Sequence, residues 1–197
     1  MIMAQPEPAP AGLRRKNDPA GVRARILSAA FGLFQSQGFN ATSVHEITAA
    51  AGVTGGALHH HFPTKQALGE AVIGESVAAA VEEAWIEPVR SAADARAGIL
   101  RVFAGLADAL DAQGSVRGCP VNNLTLELAH ANPAFRQQLK RQFDHWRQAI
   151  ADALGGSGAE ARATMVIAAY SGAMALAKVE QRGEPLRLCA RELERLL

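Results

Sequence analysis

The sequence predicts an all-α protein. Three observations lead there. Apolar residues recur every three to four positions in one segment after another, the spacing of a helix face. No segment alternates apolar and polar residues as a half-buried strand would. Aromatic residues make up only 5% of the 197 residues while alanine is frequent, which suits closely packed helices.

The first helix is expected to open at Asp18-Pro19, with Asp18 as N-cap and Pro19 at the first helical position. Val22, Ile26, Ala29, Ala30, Leu33 and Phe34 mark its apolar face. Gly38 is its C-cap candidate, and Phe39 can fold back on its last turn. Ser43 with Glu46 three residues on forms a capping box for the second helix, with Thr42 as the cap if the register shifts by one. That helix stops at Gly52, where the turn needs a residue tolerant of positive φ. Thr54 caps a third helix over about 55–61, which Pro63 interrupts. Thr64 caps a long fourth helix carrying Leu68, Val72, Ile73 and Val77. It is expected to end at Trp85 or Ile86, before Pro88. Further helices follow over about 92–112, 121–129, 133–154, 159–181 and 185–196. Two short helices joined tightly at Ala51-Gly52-Val53 constitute a helix-turn-helix.

Composition bounds the rest. The chain fits one large domain or two small ones, and with 49% hydrophobic residues a packed core is feasible. The net charge of +1 does not by itself announce nucleic-acid binding. Its distribution leans basic at the N-terminus: residues 1–70 hold six basic against four acidic residues, and the remainder 14 against 15. The two cysteines, Cys119 and Cys189, give neither a disulfide framework nor a metal pattern and suit a reducing cytoplasm. No apolar run reaches the ~20 residues that span a bilayer, and residues 1–17 lack the order of a signal peptide. With Pro6, Pro8 and Pro10 before Arg14-Arg15-Lys16, residues 1–18 are expected to form a mobile basic arm. A head over 19–66 and a helical body over 67–197 complete the expected organisation.

A helix-turn-helix lays its second helix in the DNA major groove, while helix N-termini and hydroxyls meet phosphates. The expected DNA contacts are Arg23, Thr42, Ser43, Thr54, Gly55, Gly56, Ala57, His59, His60, His61 and Lys65. Gly55 and Gly56 permit close backbone approach but read no base. Direct readout falls to Thr54, Ala57 and His59, with Ala57 able to touch a thymine methyl. His59-His60-His61 do not make a metal site, because consecutive helical residues diverge by about 100°. One of the three is expected to pack beside Phe62. No cofactor is expected.

Residues about 22 to 72 resemble the DNA-binding domain of the TetR family of transcriptional regulators. The resemblance rests on RILSAAFGLFQSQGFNATSVHEITAAAGVTGGALHHHFPTKQAL: a helix ending in Gly-Phe, then Thr-Ser-Val-x-x-Ile, Ala-Gly-Val-Thr and Leu-x-x-His-Phe-Pro-x-Lys. It implies about nine helices, a homodimer on operator DNA, and a C-terminal domain that binds a small-molecule effector and dimerises. It also implies phosphate contacts at Ser43 and Thr54, and matches at His61 and Lys65. Two departures stand out. Gly55 takes the place of a frequent lysine, and His59 that of a tyrosine touching the DNA backbone.

Gly118-Cys119-Pro120-Val121-Asn122-Asn123-Leu124 is similar to the Gly-Cys-x-x-x-Asn stretch of a TetR subgroup that includes regulators of reactive-electrophile and acrylate-type metabolism. Cys119 precedes a helix, whose dipole lowers a thiol's pKa. It is either a reactive sensor or a small buried hydrophobe. Asn122, Asn123 and Glu127 either line a ligand pocket or, for the asparagines, satisfy backbone groups. Phe103 and Trp146, with His130 and His145, are candidate pocket walls or else core and surface residues. Ala168, Gly172 and Ala175 share a face of an apolar helix that, with 185–197, either forms a two-fold four-helix interface or packs within the chain. The function expected is a dimeric cytoplasmic DNA-binding regulator, a repressor released by a ligand. The alternatives are a redox- or electrophile-responsive regulator acting through Cys119 and a small helical enzyme.

Overall fold

The computed structural model describes residues 18–197; the expected basic arm, apart from Asp18, lies outside them. Nine helices are present among the described residues: α1 (Pro19–Gln37), α2 (Val44–Ala51), α3 (Gly55–His61), α4, α5 (Ala95–Gln113), α6 (Pro120–Leu128), α7 (Pro133–Leu154), α8 (Ala159–Glu180) and α9 (Glu184–Leu196). Helix α4 is continuous but changes register. It is α-helical over Lys65–Ala71, π-helical over Val72–Val77, α-helical over Ala78–Val81, π-helical over Glu82–Ile86 and α-helical over Glu87–Arg90.

The helix starts follow from side chains that accept orphan backbone N–H groups. Asp18 accepts from the Gly21 N–H at 3.0 Å, Thr64 from Ala67 at 3.0 Å, Asp94 from Ala97 at 2.9 Å and Asn132 from Ala134 at 2.8 Å. The expected end of α4 before Pro88 is wrong: the helix runs on to Arg90. Pro88 lacks an N–H and crowds the carbonyl four residues back. The wider π turn at Glu82–Ile86, immediately before it, relieves that crowding, so the proline is carried without a break.

One contiguous apolar core runs through the molecule. In the head Ile26, Phe34, Ile47 and Leu58 close α1–α3 over the first turns of α4, where Leu68 is fully buried. In the body Trp85, Ile99, Phe103, Leu124, Leu139, Trp146 and Ile150 fill the space between α4, α5, α6, α7 and α8. Each such side chain contributes about 1.5–3 kcal/mol relative to exposure. Helix α8 buries Ala163, Val166, Ile167, Tyr170, Ala173, Met174 and Ala177. Its opposite side does not meet the chain: Ala168, Gly172 and Ala175 are exposed, as are Leu176 and Val179. No helix among the described residues is long and apolar enough to cross a membrane.

Candidate nucleic-acid interface

Helices α2 and α3 are fixed by their caps and by buried side chains, Ile47, Thr48 and Ala51 in α2 and Leu58 in α3. Ser43 is extended (φ −91°, ψ 156°), and its hydroxyl accepts from the Glu46 N–H at 3.1 Å. The Glu46 carboxylate accepts in return from the Ser43 N–H and hydroxyl, both at 2.7 Å. Those bonds, the hydroxyl first, hold the Glu46 carboxyl below its usual pKa. Gly52 ends α2 in the left-handed region (φ 62°, ψ 41°), which an L side chain enters at a cost. The Thr54 hydroxyl then accepts from the Ala57 N–H at 3.1 Å and starts α3.

Helix α3 is seven residues long, and Leu58 is its only buried residue. That single anchor turns the other faces outward. Thr54, Gly55, Gly56, His59 and His60 are exposed, and Ala57 is half-buried. His61 is half-buried, its ring 6.4 Å from that of Phe62, and is the histidine that packs inward. His60 stands edge-on to it at 5.3 Å. Among the described residues no group of three His, Cys, Asp or Glu side chains is placed to hold a metal ion.

Four expected contacts are otherwise engaged, Ser43 among them, since its N–H and hydroxyl both donate to Glu46. Thr42 is 1% exposed, and its hydroxyl donates to the Gly38 carbonyl at 2.7 Å, so it is not available to a phosphate. Arg23 donates two hydrogen bonds to Glu75 of α4, at 2.7 and 2.5 Å, and lies 5.3 Å over the Phe62 ring. It ties α1 to α4. Lys65 is half-buried: its ammonium sits 4.5 Å over the Phe39 ring and donates to the Asn40 carbonyl at 3.3 Å. Burial lowers its pKa.

The residues expected to line a ligand site do not all converge. Phe103 and Trp146 are fully buried and share a cluster with Trp85 and Tyr170, ring centroids 4.8–6.0 Å apart where they pair. The Trp146 indole N–H has no hydrogen-bond partner among the described residues. The Trp85 indole N–H faces the Tyr170 hydroxyl without reaching hydrogen-bond geometry. Cys119 is 4% exposed and beside Tyr170. Of its two expected readings the buried one fits: burial raises its pKa, outweighing the N–H groups of Asn122 and Val121 and the Tyr170 hydroxyl. Asn122 is half-buried. Asn123 donates to the Arg117 carbonyl at 2.9 Å and to Gln35 Oε1 at 3.2 Å, the backbone-satisfying alternative. Glu127 lines, with Gln35, Asn123 and Lys178, an open pocket of about 440 Å³ between α6 and the end of α1, away from the aromatic cluster. Its carboxylate accepts from the backbone N–H groups of Phe39 and Asn40 at 2.8 and 2.6 Å. His130 and His145 are on the surface.

Sequence reasoning missed this Glu127 contact and the Arg23–Glu75 pair. Spacing cannot connect residues 87 and 52 positions apart. The one local signal was the turn at 38–42, whose amide donors need partners that the turn itself does not provide.

A capped helix-turn-helix with its second helix held by one buried leucine, on a helical body, defines a DNA-binding regulator. Comparison with known proteins agrees. Residues 26–72 match the model of bacterial regulatory proteins of the tetR family, and residues 95–192 match the C-terminal domain of LmrA/YxaF-like transcriptional regulators. The chain is 28% identical over 182 residues to the transcriptional repressor DhaR of Mycobacterium sp. (strain GP1), covering 84% of this chain and 86% of that one. It is 26% identical over 170 residues to the regulator LmrA of Bacillus subtilis (strain 168), covering 83% and 90%. In fold it resembles reduced NemR of E. coli, with a TM-score of 0.80 at 22% identity, covering 88% of this chain and 95% of that one. A similar likeness links it to the regulatory protein TetR from Rhodobacter sphaeroides, with a TM-score of 0.79 at 23% identity over 88% and 97%. The chain belongs to the TetR family of transcriptional regulators.

Proposed function

We propose that this DNA-binding regulator is a homodimeric repressor that a small-molecule effector releases from its operator. The observation that carries the reading is the aim of α3. Leu58 is its sole buried anchor, and Thr54, Gly55, Gly56, His59 and His60 all face outward from a head otherwise closed by its own core. Thr54, exposed at the start of α3, accepts from the Ala57 N–H with its hydroxyl and keeps its own O–H to offer a phosphate.

Dimerisation supplies the second head. The exposed faces of α8 and α9 support it: Met165, Leu176, Val179, Leu188 and Leu196 are 40–84% exposed, and the added Cβ of Gly172 would meet nothing within 4 Å. An apolar groove of about 300 Å³ runs between Met165, Ala169, Leu188, Cys189, Leu193 and Leu196. A second copy of these two helices would cover it as a four-helix bundle.

The effector enters the body near the aromatic cluster of Trp85, Phe103, Trp146 and Tyr170. A ligand with a flat apolar part and a hydrogen-bond acceptor would suit those rings and the unpaired Trp146 N–H. Because α4 contributes Trp85 at one end and joins the head at the other, ligand entry can change the spacing of the two heads. It does so only as far as the ligand favours one spacing over the other. Cys119, buried with a raised pKa, acts in this reading as a packing residue rather than an electrophile sensor.

A gel shift with the DNA flanking its own gene, repeated at rising salt, tests the proposal. A specific band that weakens steeply with salt is expected, since each neutralised phosphate releases counterions. No specific band at low salt would refute it.

A further inference from the structure

We infer that Glu127 of α6 is a positioning residue for DNA binding: its carboxylate is the polar clasp by which the body holds the α1–α2 turn and, through it, the reading head. The turn at 38–42 is nearly self-sufficient. The Gly38 N–H donates to the Phe34 carbonyl at 3.1 Å, and the Gly38 carbonyl accepts from the Thr42 hydroxyl. The Phe39 carbonyl accepts from the Thr42 N–H at 3.3 Å, and the Asn40 carbonyl from Lys65. Among the remaining donors, the N–H groups of Phe39 and Asn40 both go to the two oxygens of Glu127, at 2.8 and 2.6 Å. A carboxylate receiving two backbone N–H groups makes charge-assisted bonds with a defined direction. Gly38, at φ 89°, lets the carboxylate approach: a Cβ there would lie 3.0 Å from Glu127 Oε2.

The same turn carries the apolar part of the joint. The Phe39 ring packs edge-on against Phe34 of the head at 5.1 Å and Phe135 of α7 at 5.2 Å. Gly69 leaves room for it, since a Cβ there would come within 2.6 Å of the Phe39 ring. One turn before Glu127 on the same face of α6, Asn123 donates to Gln35 near the end of α1. Arg23–Glu75, by contrast, joins α1 to α4, the helix continuous with the head. So Glu127 is the charged one of two hydrogen-bonded ties between the head and α6, and Ser43, the N-cap of α2, lies three residues beyond Asn40. Any displacement of α6 is passed to the phosphate-facing end of α2 through these two bonds.

The test compares Glu127→Ala and Glu127→Gln with wild type by amide hydrogen exchange. It then measures affinity for a duplex recovered by wild-type protein from a random DNA pool. Glu127→Ala should speed exchange at the Phe39 and Asn40 amides at least tenfold and weaken binding by about tenfold, within the usual range for coupled sites. Glu127→Gln, whose carbonyl oxygen still accepts, should recover part of both. The thermal midpoints and dimer fraction are expected to stay near wild type, separating positioning from unfolding. Unchanged exchange would mean the clasp does not exist in solution. Faster exchange with wild-type affinity would mean it does not position the head. The exchange arm needs no DNA, and failure of wild type to recover any duplex would count against the operator-binding repressor rather than the clasp.

Discussion

Leu58→Ala and His59→Ala, adjacent substitutions on α3, should separate stability from DNA binding. Leu58 is 3% exposed and is the only buried side chain of a seven-residue helix. Truncating a buried leucine costs about 2–5 kcal/mol through lost transfer energy and the cavity left behind. For a chain of this length that corresponds to a fall of roughly 5–15 °C in the thermal midpoint. A short helix with no second anchor cannot collapse onto the gap, which favours the upper half of that range. His59, one residue on, is exposed. Its truncation should change stability by less than about 0.5 kcal/mol, the usual scale for surface sites. Binding to the selected duplex should nevertheless weaken, by roughly tenfold for one contact worth ~1.4 kcal/mol. Differential scanning fluorimetry and fluorescence anisotropy on the same preparations read both quantities. If His59→Ala destabilises the fold as much as Leu58→Ala, or binds duplex like wild type, then α3 does not present the face described.

Four other outcomes follow from the geometry. Gly52→Ala should destabilise the head by about 1 kcal/mol through its left-handed φ alone, because the added Cβ meets nothing within 4 Å; chemical denaturation reads this. The Arg23 guanidinium lowers the Glu75 pKa, so the pair contributes stability above the ordinary carboxylate value of about 4.5, lost as pH falls through the lower folded value. Glu75→Gln should therefore flatten the midpoint-versus-pH curve below about pH 5. Cys119, buried and with a raised pKa, should resist iodoacetamide in the native protein at neutral pH and react readily once unfolded, as peptide mass spectrometry would show. Leu188→Asp on the exposed face of α9 should shift sedimentation toward the monomer with α-helical circular dichroism retained.

The legible parts of the fold were those fixed locally. Asp18-Pro19, Ser43–Glu46, Gly52 and Thr54 each carry their own cap or turn chemistry, and the helices they bound lie where spacing places them. Pro88 misled, because a proline normally ends a helix and the π turn that accommodates it leaves no mark in apolar spacing. At the candidate site, Thr54 and His59, expected to meet DNA, are exposed on α3, and Ala57 is half-buried. The places of Thr42, Arg23 and Lys65 were not legible, since each has the chemistry of a phosphate contact and is drawn instead to a partner in the fold: Gly38, Glu75 and the Phe39 ring. Glu127 was legible only in part: it lines a pocket, but its bonds to the Phe39 and Asn40 N–H groups leave no mark in the sequence. Cys119 shows a competition of magnitudes, with helix-start N–H groups favouring the thiolate and burial overriding them.

Selection from a random duplex pool, followed by hydroxyl-radical footprinting of the recovered DNA, tests the paired reading head most directly. Two heads on one symmetric dimer predict an inverted repeat, protected in two major-groove patches separated by about one helical turn or a multiple of it. No enriched sequence, or a single asymmetric patch protected by one copy, would contradict it.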